Sequence, residues 1–474
     1  MTTGMNFWDT EVWSLVVTLG ILLISMMVAN TLRNLIKPLR RAMIPSAVLG
    51  GFLLLAANAI YKAITGSPMV QSSVLEVLTY HGLGLGFAAM ALRNMEKKKE
   101  GRSKTGAFDT GVSVVNSYLL QAILGLLVTV GLYYLIGSFF ASGLLLPMGY
   151  GQGPGQAYNW GHTYEVTYGF TNGTSFGLTV AAMGFVSASV GGVIWLNVLR
   201  RRGVISGEIG EAGAVDGEDV VYTRGDEIPL SESMDKFTVQ MALVFGAYCI
   251  AFLFMTIFNK LINAGIFGGL GETLRGLVWG FQFLFSTLGA LLLKSILRAL
   301  KKKNIIRREY TNNFMQNRIA GFMFDIMVVA SIAAIDLSAF RQPSFVLPLA
   351  LITVLGAVGT FLYLRVVSRR VFPMYENEAF LSLYGMLTGT ASTGTILLRE
   401  VDPRFETQAA DNLVYQQLWA ILFGFPMLLL LGVAPVSIGR TWLTLGLLAV
   451  LFIAFNIILF RKTIFKKKDR KKKS

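Results

Sequence analysis

Long apolar runs alternate with short polar or basic runs along the whole chain. A bilayer crossing takes about 20 mostly apolar residues. On that scale the pattern predicts eleven spans, near 12–32, 44–61, 74–92, 110–137, 174–199, 236–258, 276–297, 319–339, 345–366, 411–433 and 441–461. The basic residues fall on alternate connections. They follow the first span (Arg33, Lys37, Arg40, Arg41), the third (Arg93 to Lys104), the fifth (Arg200-Arg201-Arg202), the seventh (Lys294 to Arg308), the ninth (Arg365, Arg369, Arg370) and the eleventh (Arg461 to Lys473). These groups hold 32 of the 42 Lys and Arg, whereas 138–173 holds none. Cytoplasmic loops carry such an excess, so the N-terminus is expected outside and the C-terminus inside.

The longest polar connection, 203–235, carries nine acidic residues and several glycines and is read as a solvated linker. Five spans precede it, beginning outside, and five follow it, beginning inside. An odd number of spans per half makes two similar halves lie inverted, a common design of secondary transporters. The expected class is an all-α polytopic membrane protein with two inverted five-helix repeats, broken or re-entrant Gly-rich segments and one extra C-terminal helix. Its parts are 1–202, the linker 203–235, 236–435, and 436–474 with the extra span and basic tail.

Composition agrees. The 474 residues are 54% hydrophobic and 15% charged, with mean hydropathy +0.58. Soluble, disordered, collagen-like and disulfide-scaffold classes are excluded. The net charge of +15 follows from the topology and does not call for nucleic acid. The tail is expected to anchor on anionic headgroups of membrane lipid. The single cysteine, Cys249, makes no intramolecular disulfide, and His81 and His162 do not make a metal centre. No cleavable signal peptide is expected, because residues 12–32 are long enough to span and the basic residues follow them. Asn172-Gly173-Thr174 matches a glycosylation sequon, and 96–104 reads as a solvated loop. No Walker loop, His-Glu-x-x-His or Gly-x-Ser-x-Gly elbow is present, which disfavours an enzyme.

Each half has a Gly/Ser/Thr-rich stretch just before its fifth span: 147–157 (PMGYGQGPGQA) and 385–395 (GMLTGTASTGT). The first follows a span ending outside, the second a span ending inside. If both dip into the membrane, they meet near the midplane. Glycine permits non-helical backbone there, exposed carbonyls of a broken helix can coordinate a cation, and helix N-termini can hold a carboxylate. The candidate Na⁺ ligands are Gly149, Gly151, Thr388, Gly389, Thr390, Ser392 and Gly394, with Asp325 as a further cation ligand or protonatable group. The candidate substrate contacts are Gln152, Gly153, Gly155, Gln156, Thr393 and Arg399, the last as a clamp on a carboxylate. Asn116 and Gln121 are candidate polar lining of the same interior. Asp325 and Asp336 are eleven residues apart and are expected on one face of the eighth span.

Tyr168-Gly169-Phe170-Thr171-Asn172, leading to Gly191-Gly192, resembles the matching segment of bacterial sodium/glutamate symporters. So does Ile44 to Gly51 at the start of the second span. Gly151–Ala157 falls where that family has a Gly-rich motif, Gln121 matches a glutamine of its fourth span, and Gly389–Thr393 with Val401 to Phe405 resembles the element of its second half. The resemblance covers residues 12 to about 433. It implies inverted repeats, a homodimer in a bacterial plasma (inner) membrane, and Na⁺-coupled uptake of glutamate by alternating access, with no other cofactor. The chain departs at Gln152 (histidine in the family), Pro154 (threonine), Gln156 (a small residue) and Ser392 (proline), and it adds the eleventh span. A small carboxylate is therefore the expected substrate, with glutamate the default. Two other readings stay open on the same scaffold: a proton-coupled carrier or exporter of another organic anion, with Asp325 titrating, and a non-transporting channel or receptor.

Overall fold

The computed structural model describes residues 6, 8–94, 105–205, 234–268, 271, 278–403, 405–462 and 464. Most of the expected linker, the basic run 96–104 and the tail beyond Ile464 lie outside them. Among the described residues there is no strand, and ten helices are long and apolar enough to cross a membrane.

The first half runs α1 (Thr10–Leu35), the short α2 (Lys37–Arg41), α3 (Ser46–Thr65), α4 (Ser72–Leu92), α5 (Gly106–Ile136), the broken pair α6 (Leu145–Tyr150) and α7 (Pro154–Tyr168), and α8 (Gly173–Arg201). The second runs α9 (Lys236–Asn263), α10 (Gln282–Lys302), α11 (Asn313–Ala333), α12 (Pro343–Val371), the broken pair α13 (Glu376–Thr388) and α14 (Ala391–Arg399), then α15 (Gln408–Tyr415) and α16 (Gln417–Val433). The order is the same in both halves: four long helices, a broken pair, then a closing helical segment. Helix α17 (Ile438–Leu459) follows as the additional element.

Ten of the eleven expected spans correspond to these long apolar helices, and the eighth does not. The helix there, α11, starts and ends six residues before the expected 319–339. The cause is its cap. The Asn312 side chain accepts from the Met315 N–H at 2.9 Å, which starts the helix early and brings Asn313, Gln316, Asn317 and Arg318 into its first turns. The helix then ends at Ala333, so Asp336 shares no helical face with Asp325. Instead Asp336 caps the 3₁₀ turn Leu337–Arg341, accepting from the Ser338 N–H at 2.9 Å.

The halves interlock. Helix α4 packs on α10 and α11, and α5 packs on α12, α16 and α17. One close approach is made by backbone alone: a Cβ on Gly125 would overlap the Gly143 carbonyl, and a Cβ on Gly143 would overlap the Gly125 backbone. Small residues permit such contact between helical segments without a side chain between them. The additional helix is fastened at one end. Asp109, buried in the first turn of α5, accepts from Arg461 at 2.7 Å and Lys462 at 3.2 Å just past α17, and the Arg461 guanidinium lies 5.1 Å from the Phe108 ring centroid.

Candidate functional site

The first broken pair is interrupted at Gly151-Gln152-Gly153. Helix α6 closes with the Gly151 and Gln152 N–H groups both donating to the Pro147 carbonyl, at 3.0 and 3.1 Å. Gly153 then takes φ +89° and ψ −179°, a conformation essentially limited to glycine. Pro154 starts α7 with its φ already suited to a first helical turn. Gly153 has no side chain to cap the exposed N–H groups of that turn.

The second pair is interrupted at Gly389-Thr390. The Gly389 N–H donates to the Gly385 carbonyl at 3.0 Å, ending α13. Thr390 is extended (φ −144°, ψ 171°) and starts α14 without a side-chain cap. Its hydroxyl instead lies 3.4 Å from that of Thr393, which is buried.

The two interruptions meet. A Cβ placed on Gly153 would lie 3.7 Å from Thr390 Cγ2 and 4.0 Å from the Gly389 carbonyl oxygen. Two uncapped helix starts (α7 and α14) and two helix ends (α6 and α13) therefore converge. The starts present N–H groups and a partial positive charge, which suit an anion; the ends present carbonyls, which suit a cation.

Helix α5 bonds to both interruptions. Tyr118 donates from its hydroxyl to the Gly151 carbonyl at 3.1 Å. One turn on, Gln121 donates from Nε2 to the Leu387 carbonyl at 2.9 Å and to the Thr360 hydroxyl at 3.0 Å. Helix α8 also reaches both pairs: a Cβ on its Gly184 would overlap the Thr388 carbonyl and come 3.0 Å from the Tyr150 ring.

The residues expected at the site divide into three groups. Gln152, Gly153, Gly389, Thr390 and Thr393 lie in or beside the junction, and Gly151 and Thr388 border it. Gly149, Gly155, Gly394 and Ser392 do not. Gly149 packs on α8, Gly155 packs against Leu83 and Met327, and Gly394 lies against Gly385 and Ser382 where the two arms of its own pair cross. Ser392 is exposed. Close packing accounts for these three glycines.

Arg399 and Asp325 are also elsewhere. Arg399 ends α14, nine residues beyond Thr390, and its guanidinium lies 5.4 Å from the Phe405 ring centroid. At 1.5 Å per residue that is about 13 Å from the junction. Asp325 is exposed on α11, two residues before Met327. Met327 packs at Gly155, and helix positions two apart do not face the same way. Asn116 is buried on α5 beside the Tyr363 hydroxyl, which donates to Asn456 of α17 at 3.0 Å, and neither Asn116 amide atom has a hydrogen-bond partner.

Gln156 is 1% exposed, and neither its amide nitrogen nor its amide oxygen has a partner. It stands three residues after the cap position of α7, where a Gln often folds back onto the cap N–H. Its oxygen makes no such bond here. The Gln121 Oε1 is likewise buried without a partner. One turn along α7 the stripe continues with Asn159 Oδ1 and Trp160 Nε1, both buried and unpartnered.

Tyr118, Thr360, Gly184, Asn159 and Trp160 were not among the sequence candidates. Tyr118 and Asn159 had a usable signal, since each is one helical turn from a candidate, Gln121 and Gln156; Thr360 and Gly184 sit in apolar runs that carry none. No family model, no curated protein and no solved structure matches the chain.

Proposed function

We propose that the chain is a Na⁺-coupled secondary transporter of a small carboxylate, working by alternating access between two inverted halves. The carrying observation is the meeting of Gly153 with Gly389 and Thr390. Irregular backbone deep among membrane helices is tolerated only where protein or a hydrated cavity surrounds it, and transporters use such breaks to bind ions and substrates. Carbonyls at the ends of α6 and α13, with the hydroxyls of Thr390 and Thr393, replace the hydration shell of Na⁺. The starts of α7 and α14 hold the substrate carboxylate. Bound Na⁺ and substrate together favour the state in which the site changes sides.

The resemblance to bacterial sodium/glutamate symporters supports this reading and makes glutamate the reference substrate. It also makes a homodimer in a bacterial plasma membrane, with N-terminus outside and C-terminus cytoplasmic, part of the same proposal. The test is uptake of labelled glutamate by proteoliposomes in Na⁺ against Na⁺-free buffer. Uptake that requires Na⁺ supports the proposal. Full uptake without Na⁺ points to a proton-coupled carrier or exporter, and passive flux without counterflow exchange points to a channel.

A further inference from the structure

We infer that the junction selects an α-amino acid whose side chain is neutral and both donates and accepts hydrogen bonds, such as a carboxamide, over one with a second carboxylate. The inference rests on the transporter reading above and concerns which substrate that site prefers.

The first observation is the absence of a cation to meet a second negative charge. Among the described residues, α4, α5, α6, α7 and α13 contain no Lys or Arg. Helix α8 has Arg200 and Arg201 only in its last turn, and α14 has Arg399 only at its end. On α11, Arg318 lies over the Phe314 ring in the first turns, and on α12 Arg365 is engaged by Glu376 at 3.8 Å and the Trp195 ring, with Arg369 and Arg370 in the last turn. The buried Lys236 and Lys294 are on α9 and α10; Lys294 donates to the Arg93 carbonyl. What remains for an anion is the pair of uncapped helix starts, each worth about half a unit charge. Together they match one carboxylate, and the α-carboxylate of any amino acid uses them.

The second observation is the buried, unpartnered amide chemistry one turn inside the junction. Side chains on a helix lean toward its N-terminus, and positions three apart are neighbours, so Gln156 covers the turn that begins at Gly153. Its amide has both a donor and an acceptor to satisfy. A carboxamide meets both. A carboxylate only accepts, so it satisfies the donor, leaves the acceptor oxygen unmet and brings a charge with no counter-ion. Sites whose buried groups need a particular partner reject analogues that lack it.

Competition by unlabelled glutamine or glutamate against labelled glutamine, taken up by proteoliposomes under an inward Na⁺ gradient, tests this with the unaltered chain. Glutamine is expected to compete at least about tenfold better than glutamate. Gln156→Leu is expected to bring the two within about threefold of each other while Na⁺ dependence persists. Glutamate competing equally or better, with Na⁺-driven uptake intact, overturns the inference and leaves the transporter reading standing. So does an unchanged preference in Gln156→Leu. If neither amino acid is carried under any gradient, the transporter reading falls and this inference falls with it.

Discussion

Gln121 Nε2 lies 2.9 Å from the Leu387 carbonyl, so a side chain from the first half holds the last turn before the break in the second. The same nitrogen donates to Thr360, and the residue is fully buried. Replacement by Leu leaves a buried carbonyl and a hydroxyl without their donor, at about 1–3 kcal/mol for each unsatisfied group. Gln121→Leu is expected to insert normally, to melt at lower temperature and to lose most uptake. Melting in detergent together with proteoliposome flux checks both. Wild-type flux in this variant would show that the tie does not position the break.

Gly153 and Gly394 are predicted to fail for different reasons. There is room for a methyl group at Gly153, whose nearest neighbour would be 3.7 Å away, but the backbone conformation excludes other residues. Gly153→Ala therefore strains the break by about 1–3 kcal/mol and lowers turnover while the surrounding helices stay packed. At Gly394 the backbone is helical, and a Cβ overlaps the Ser382 carbonyl. Gly394→Ala spreads the two arms and destabilises the fold. Protease sensitivity at the second pair, measured beside flux, separates the two outcomes.

Gln156→Leu removes two buried polar atoms without partners and fills a similar volume. It is expected to raise the melting temperature of the substrate-free protein, by an amount equivalent to about 1–3 kcal/mol. A residue kept only for packing shows no such gain on removal. A lower melting temperature in this variant would mean the amide is already satisfied in the folded state.

Arg399→Ala is expected to leave apparent substrate affinity within about twofold of wild type, as for surface changes distant from a site. Dependence of uptake on substrate concentration measures it. A tenfold loss would bring back the carboxylate clamp suggested by the sequence.

Glu309 lies between α10 and α11. Burial pushes its carboxyl upward, but hydrogen bonds from Thr311, Lys301 and Asn94 outweigh this and hold it below the usual carboxylate value. A group lowered in the folded state contributes stability above its ordinary unfolded value, and that contribution is lost as pH falls through the lowered one. Melting followed from pH 7 down to pH 3 is expected to show acid destabilisation that Glu309→Gln reduces. An unchanged acid profile would exclude a contribution from Glu309.

The helices were legible because their apolar runs are long and the basic residues alternate. The eighth span was not, because Asn312 decides where α11 starts and caps are local features inside a polar stretch. The junction was legible as two Gly-rich stretches in matching positions. Which glycine lies at the junction and which at a helix crossing was not: Gly153 and Gly394 read alike, and only the φ of one and the crossing partner of the other tell them apart. Arg399 and Asp325 lie away from the junction for a shared reason. Their chemistry suited the site, but the helical path from Thr390 carries Arg399 away, and two positions on α11 turn Asp325 outward.

The contact between Gly125 and Gly143 has a consequence for how far such a chain can diverge. Where two ordinary side chains meet, enlargement of one is often offset by reduction of the other. Here each residue already has the smallest side chain there is, so neither can give way to the other. Descendants that keep this crossing must inherit both glycines unchanged, whatever drifts around them, and one that loses either must part the two segments.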